Sequence, residues 1–215
     1  MTRGRRRLII GATVAAGTAV LLYFLPLFHV VPLDQAGQRA ADAAFDPAAF
    51  VDRFWTERLI PGATQAVDAA ELVTAIGQDR YSARRAHGRS VGVGGAYYYF
   101  VGGTGRVISV EQDSVRLSLR DGRPLLQVSL EAGKIFGNAV RDGTGLLSIN
   151  DFPNSQDFNA LSSEINLRIE QQVLPALRKQ ARVGATVRFV GCAEIVDEDP
   201  DLDPLRIVPF LVETP

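Results

Sequence analysis

The chain has 215 residues, with 23 Lys and Arg against 24 Asp and Glu, two His and one Cys. A net charge of −1 gives no chain-wide basic face for nucleic acid, and a single cysteine excludes an internal disulfide. The first four cations, Arg3, Arg5, Arg6 and Arg7, stand in the N-terminal tail, so the 182 residues beyond Leu33 carry 19 basic and 24 acidic groups, net −5, in a length that can bury one core with an added helical part.

Leu8–Phe28 is a run of 21 residues without a charge. As a helix it would span about 31 Å, the thickness of a bilayer's hydrocarbon. The arginines before it would stay in the cytoplasm. This predicts a single-pass protein of the inner membrane with everything after about Val31 in the periplasm. A cleaved signal peptide is the alternative. It fits less well, because the apolar run is long and the first Ala-x-Ala is the distant Ala41-Asp42-Ala43. His29 falls at the outer headgroups. The expected organisation is a tail and anchor over 1–31, a linker and helical hairpin over 32–95, and a β domain over 96–215.

Asp46-Pro47 starts a helix, with Asp as N-cap and Pro in the first turn. Phe50, Val51, Phe54, Trp55 and Leu59 make its apolar stripe. Pro61-Gly62 is expected to end it. Asp68, with Glu71 three residues on, starts a second helix that carries Leu72, Val73 and Ile76 and stops at Gly77. The two read as a hairpin. The basic piece Arg80, Arg84, Arg85, His87 and Arg89 reads as a solvated face and turn, with an anion contact as the sharper alternative. Glycines between Gly88 and Gly105 read as turns and bulges. Gly92-Val93-Gly94-Gly95 lacks both the last glycine and the following helix of a dinucleotide fingerprint.

From Gly105 the apolar period becomes two. Val107 and Val110, then Val115, Leu117 and Leu119, alternate with polar residues. Asp121-Gly122 signals a turn, Pro124–Leu130 a strand, Gly133–Gly145 a loop and Leu146–Asn150 a third strand. A helix follows from about Asp157 to Gln180. Phe158, Leu161, Ile165, Ile169, Val173 and Leu177 lie on one face, and Pro175 kinks it. Ala185–Ile195 and Leu205–Val212 are the last strands. Three strands, a helix and two strands is the order of a small OB-like five-stranded barrel, which would bury Val107, Val115, Leu117, Val187 and Phe189 in one core. The fold class is α+β, mainly β, with a two-layer sandwich as the alternative.

No residue set reads as catalytic, metal-binding or cofactor-binding. The acidic run Asp197–Asp203 lacks the glycine and the terminal glutamate of a calcium loop. Cys192 lies in a strand-like run and reads as a packed thiol. The favoured ligand-binding face is Asn138, Arg141, Asp142, Asn150 and Asp151, with Lys134 nearby. Arg141-Asp142 could fork onto an anion or a sugar hydroxyl, or could brace its own loop.

Phe45-Asp46-Pro47-Ala48-Ala49-Phe50-Val51 with Trp55, Gly103-Thr104-Gly105-Arg106-Val107, Ile135-Phe136-Gly137-Asn138-Ala139-Val140-Arg141-Asp142 and Ile149-Asn150-Asp151-Phe152 together resemble the uncharacterised family of predicted periplasmic lipoproteins. The resemblance implies an accessory role beside sugar-type ABC import systems, with importer components or a solute-binding protein as partners, while the acidic balance beyond Leu33 argues against nucleic acid. The chain departs from the family label in having no cysteine near its start, so the anchor expected is Leu8–Phe28. A non-catalytic, membrane-tethered binding or accessory protein is therefore the first expectation. A structural envelope protein is second, and a carboxylate-based envelope enzyme third.

Overall fold

The structure, a computed structural model, describes residues 45–92, 95–119 and 126–214. The expected anchor Leu8–Phe28, His29, the linker before Phe45 and the Asp121-Gly122 turn lie outside the described residues. In chain order the elements are α1 (Pro47–Phe54), β1 (Val67–Asp68), α2 (Ala69–Gln78), α3 (Arg80–His87), β2 (Gly88–Ser90), β3 (Tyr97–Val110), β4 (Ser114–Ser118) and β5 (Gln127–Glu131). Then come α4 (Ala139–Gly143), α5 (Ser155–Arg168), α6 (Leu174–Gln180), β6 (Thr186–Ile195), α7 (Glu198–Leu202) and β7 (Leu205–Glu213).

Helix starts follow the capping chemistry. Asp46 accepts from the Ala49 N–H at 3.0 Å, with Pro47 in the first turn. Asp68 accepts from the N–H groups of Ala70 and Glu71 at 2.9 and 3.0 Å. Helix stops follow less closely. The helix passes Pro61 through a π turn, Trp55–Leu59, a short α turn, Ile60–Gly62, and a 3-10 turn, Ala63–Gln65. A proline cannot donate to the carbonyl four residues back. The π turn slips the register by one beforehand, with the Ile60 N–H on the Trp55 carbonyl, so the chain stays helical around the missing donor. Pro175 is met in the same way, by a π turn at Ile169–Val173 before α6. Helix α2 ends at Gln78, one residue beyond Gly77, and Asp79 then caps α3 by accepting from the Tyr81 N–H (3.0 Å) and the Ser82 hydroxyl (2.6 Å).

The expected hairpin of the first two helices does not form. Helix α2 packs on α3 and on β3, whereas α1 packs on α5. Charge and ring contacts explain the α1–α5 pairing: Arg168 of α5 pairs with Asp52 and lies over the Trp55 ring, 5.6 Å from its centroid. Leu146–Asn150 is not a strand either. It is coil leading into a 3-10 turn, Ile149–Asp151, and the Leu146 carbonyl is taken by the Arg58 guanidinium rather than by a neighbouring strand. The third strand of the β domain is β5, and the expected loop Gly133–Gly145 contains the buried α4.

The sheet turns on β3. Its first ten residues pair with β6, from Tyr97↔Ile195 to Arg106↔Thr186, and its end pairs with β4, from Arg106↔Ser118 to Val110↔Val115. Strand β4 pairs with β5, β5 runs parallel to β7, and β7 is antiparallel to β6. The order β3-β4-β5-β7-β6 is that of an OB-type sheet. Strands β1 and β2 add to the other edge of β3, and β5 shares only three residue pairs with β7. The result is a wrapped seven-stranded sheet, in which β1 and β2 join the five strands expected and the seam between β5 and β7 is short. Val107, Val115, Leu117, Val187 and Phe189 are all buried in its core, and so is every residue of the apolar stripe from Phe158 to Leu177.

Gly191 stands where β6 shifts register against β7, and a Cβ there would lie 2.3 Å from the Val208 carbonyl oxygen. A backbone oxygen cannot step aside without opening the β6–β7 ladder. Gly191→Ala is expected to cost about 2 kcal/mol, read as a lower urea midpoint with an unchanged m-value.

Candidate functional site

The face favoured from sequence is built around α4. Arg141 and Asp142 are only 6% and 5% exposed. The Arg141 Nε donates to Asp142 Oδ1 at 2.7 Å and its Nη2 to Oδ2 at 2.9 Å. Its Nη1 donates to Asn159 Oδ1 at 3.0 Å and reaches the Phe158 carbonyl at 3.5 Å, with the guanidinium 4.2 Å from the centroid of the Phe158 ring. The fork is thus spent inside the fold. It ties α4 to α5 and fixes the Asn159 amide with its oxygen inward. Asn138 is half-buried, and its carbonyl accepts from the Asp142 N–H at 2.9 Å. Asn150 and Asp151 sit on the exposed turn Ile149–Asp151. The structure therefore gathers Asn138, Arg141 and Asp142 with Asn159, and leaves Asn150 and Asp151 on a different segment.

What lies beside this cluster is a groove of about 620 Å³ between α5 and the loop Lys134–Asn138. Its helical side presents Asn159, Ser162, Ser163, Asn166 and Leu167 from α5, and Glu170 from the π turn that follows. These recur at helical spacing next to the apolar stripe, a second face that reading the apolar period alone passes over. The loop is pinned to the helix at two points. The Ile135 N–H donates to Glu170 Oε1 at 2.8 Å, and Asn166 Nδ2 donates to the Gly137 carbonyl at 3.0 Å. Ser162 is 7% exposed and its hydroxyl has no partner. A helical serine usually bonds the carbonyl four residues back, here that of Phe158, which Arg141 already reaches.

Phe136, 73% exposed, crowns the loop with the Lys134 Nζ 5.5 Å from its ring centroid. On its far side a second hollow, about 290 Å³, is lined by Lys134, Glu194, Asp201 and Arg206. Glu194 accepts from the Tyr98 hydroxyl at 3.0 Å, and a Cβ on Gly137 would lie 2.9 Å from its other oxygen. Arg206 is held by Glu131 at 2.8 and 3.0 Å. Beyond that pair a third hollow, about 400 Å³, lies over β4 and β5 with Glu111, Arg116 and Ser129 in its wall. Its Arg116 pairs with Glu111 at 3.3 Å.

The remaining sequence candidates have structural partners. Asp197–Asp203 is a capped turn of helix: Asp197 accepts from the Asp199 N–H, and Asp201 from the N–H groups of Val196 and Asp197. The basic piece is α3. Its Arg80 pairs with Asp199 at 2.7 Å and its Arg84 lies 4.1 Å from the Tyr97 ring centroid. Among the described residues no group of three or more His, Cys, Asp or Glu is placed to hold a metal ion. Cys192 is fully buried, and burial pushes its thiol pKa up. Burial, reinforced by Glu194, raises the Tyr98 hydroxyl above its ordinary range, and burial with Glu198 does the same for Tyr97.

This arrangement defines an OB-type domain with grooves of mixed polar and apolar lining on either side of the exposed Phe136. A solved structure described as an OB-fold protein from Thermotoga maritima aligns with 80% of this chain and 99% of its own, at 24% identity and a TM-score of 0.69, which supports the fold. No curated protein matches the chain. The family model described as predicted periplasmic lipoprotein (DUF2291) matches residues 18–213, and the chain belongs to that family.

The family corrects one expectation. A single-pass inner-membrane protein was expected from Leu8–Phe28, whereas the family is one of lipoproteins, whose anchor is an acyl chain. Length and hydropathy describe what a segment does in a bilayer, not which group supplies the anchor. That segment lies outside the described residues, and among the described residues no helix is long and apolar enough to cross a membrane.

Two measurements probe the site's supports. Asp142→Ala leaves a buried guanidinium without its carboxylate and is expected to cost about 3–5 kcal/mol, read by urea unfolding, with the Arg141→Met/Asp142→Ala double variant recovering part of the loss. Tyr97 and Tyr98 hold their protons more tightly folded than unfolded. Their stabilisation is therefore complete below the unfolded tyrosine pKa of about 10 and is lost as pH rises beyond it. Melting temperature should fall between pH 9 and 11, and less steeply in a Tyr98→Phe variant.

Proposed function

We propose that this periplasmic lipoprotein is a non-catalytic binding and accessory protein whose ligand lies in the groove between α5 and the Lys134–Asn138 loop. The observation that carries the reading is the Arg141–Asp142–Asn159 cluster: a buried ion pair positions a side-chain amide at the groove rather than meeting a ligand itself. Asp142, on which a hydrolytic reading would lean, is 5% exposed and already accepts both Arg141 bonds, so it is poorly placed to move a proton to or from a substrate. The reading takes a component of a sugar-type ABC importer, or its solute-binding protein, as the partner, on the strength of the family resemblance. It leaves nucleic acid out. Among the described residues, the arginines lining the hollow over β4 and β5, where OB domains take oligonucleotides, are paired with Glu111 and Glu131, which lowers the positive charge they offer a phosphate backbone.

The test is capture of the intact protein from membranes followed by mass spectrometry of what accompanies it, with melting measured against envelope solutes. Importer or solute-binding subunits in the captured material, and a ligand-dependent rise in melting temperature that Asn159→Ala removes, are the expected results. A protein recovered alone and unshifted by any solute overturns the reading.

A further inference from the structure

We propose that the α5 groove takes a linear, uncharged glycan segment, lying along the helix with one ring against Phe136. This rests on the reading of the groove as a binding site.

Apart from Lys134 and Glu170, the polar side chains that line it are amides and hydroxyls, set beside the apolar Ile135, Phe136 and Leu167. Asn159 has its oxygen committed to Arg141 and keeps its amide hydrogens; Asn166 has donated to Gly137 and keeps its oxygen. Ser162 brings a hydroxyl with no partner and Ser163 lies exposed beside it. Asn159 offers donors, Asn166 an acceptor and the two serines both, so the face matches a ligand whose own groups donate and accept. Lys134 and Glu170 balance each other, so the groove has no net charge to draw an anion.

The spacing favours rings over an extended peptide. From Asn159 to Glu170 the helix rises about 16 Å in three steps, or about 5.5 Å per step. Same-face side chains of an extended polypeptide repeat about every 6.7 Å. Over three steps that mismatch grows to about 4 Å, more than a hydrogen bond tolerates. A chain of pyranose rings repeats close to the helical step and presents hydroxyls at each one. Phe136 adds what a sugar's C–H face needs, an aromatic surface that is 73% exposed at the groove wall. The loop bearing it is held at both Ile135 and Gly137, so the ring is presented on a fixed support.

Calorimetric titration of the full chain with neutral β-linked oligosaccharides of one to five rings, beside extended uncharged peptides, tests this. Affinity is expected to climb with ring number and level off at about three. Phe136→Ala and Ser163→Trp, both at exposed positions, should each weaken glycan binding about tenfold or more without moving the melting temperature of the free protein. Peptide binding that Ser163→Trp abolishes, with no glycan binding, overturns the glycan and leaves the groove a binding site. Glycan binding indifferent to both substitutions overturns the groove as its location. Binding of neither overturns the proposal, while the capture experiment still decides the accessory role separately.

Discussion

Two adjacent side chains of opposite charge, Arg141 and Asp142, are taken almost wholly out of water. Such a pair is tolerated only where its geometry is forked and its remaining hydrogen-bonding capacity is met. Here Arg141 makes two bonds to Asp142, a third to Asn159 and a longer contact to the Phe158 carbonyl, with an aromatic ring beneath it. Meeting those needs brings α4 and α5 together. The same constraint sets the Asn159 amide and occupies the carbonyl that Ser162 would otherwise use. The polar side of the groove is in this sense a by-product of satisfying one buried guanidinium.

Helix α4 is held from the other side by the sheet. A Cβ on Gly143 would come within 3.0 Å of the Cys192 sulfur and 3.4 Å of the Tyr98 Cβ, so the helix end approaches β3 and β6 as closely as a glycine permits. Tyr98 then reaches outward to Glu194, whose second oxygen lies under Gly137. One path of contacts runs from the sheet core through Tyr98 and Glu194 to the loop that carries Phe136. The loop between the grooves rests on the sheet as well as on α5, and this makes its exposed ring a defined surface.

The fold was legible where one interaction decides the outcome. Asp46 and Asp68 had no competitor for their N–H groups, and the apolar periods of β4, β6 and α5 each had a single core to face. Legibility failed where a tertiary partner replaced the local one. Leu146–Asn150 looks like a strand, yet its Leu146 carbonyl is served by Arg58, 88 positions away. Pro61 looks like a break, yet the π turn before it keeps the chain α-helical to Gly62 and a 3-10 turn follows, whereas Gly77 lies one residue inside the end of α2 at Gln78. Of the site, Arg141-Asp142 stands out in the sequence, but whether a fork faces a ligand or its own fold depends on burial, which spacing does not encode. The stripe from Asn159 to Glu170 was readable by the same arithmetic as the apolar stripe beside it. Polar residues on a helix draw no notice until a loop is seen to cover them.

Helix α5 answers to two neighbours at once. Its apolar face must follow the core, and its polar face must follow the groove, so both need one unbroken helical register. That register is kept from Asn159 through Asn166 and slips only in the π turn at Ile169–Val173, which contains Glu170, the last polar residue of the stripe. The slip is demanded by Pro175 in α6, not by the groove. Yet Leu177, four residues beyond Val173, is buried like the rest of the apolar stripe, so the core face survives the slip. A proline that reads as a simple kink is thus accommodated upstream of itself, in a π turn that leaves the apolar face continuous.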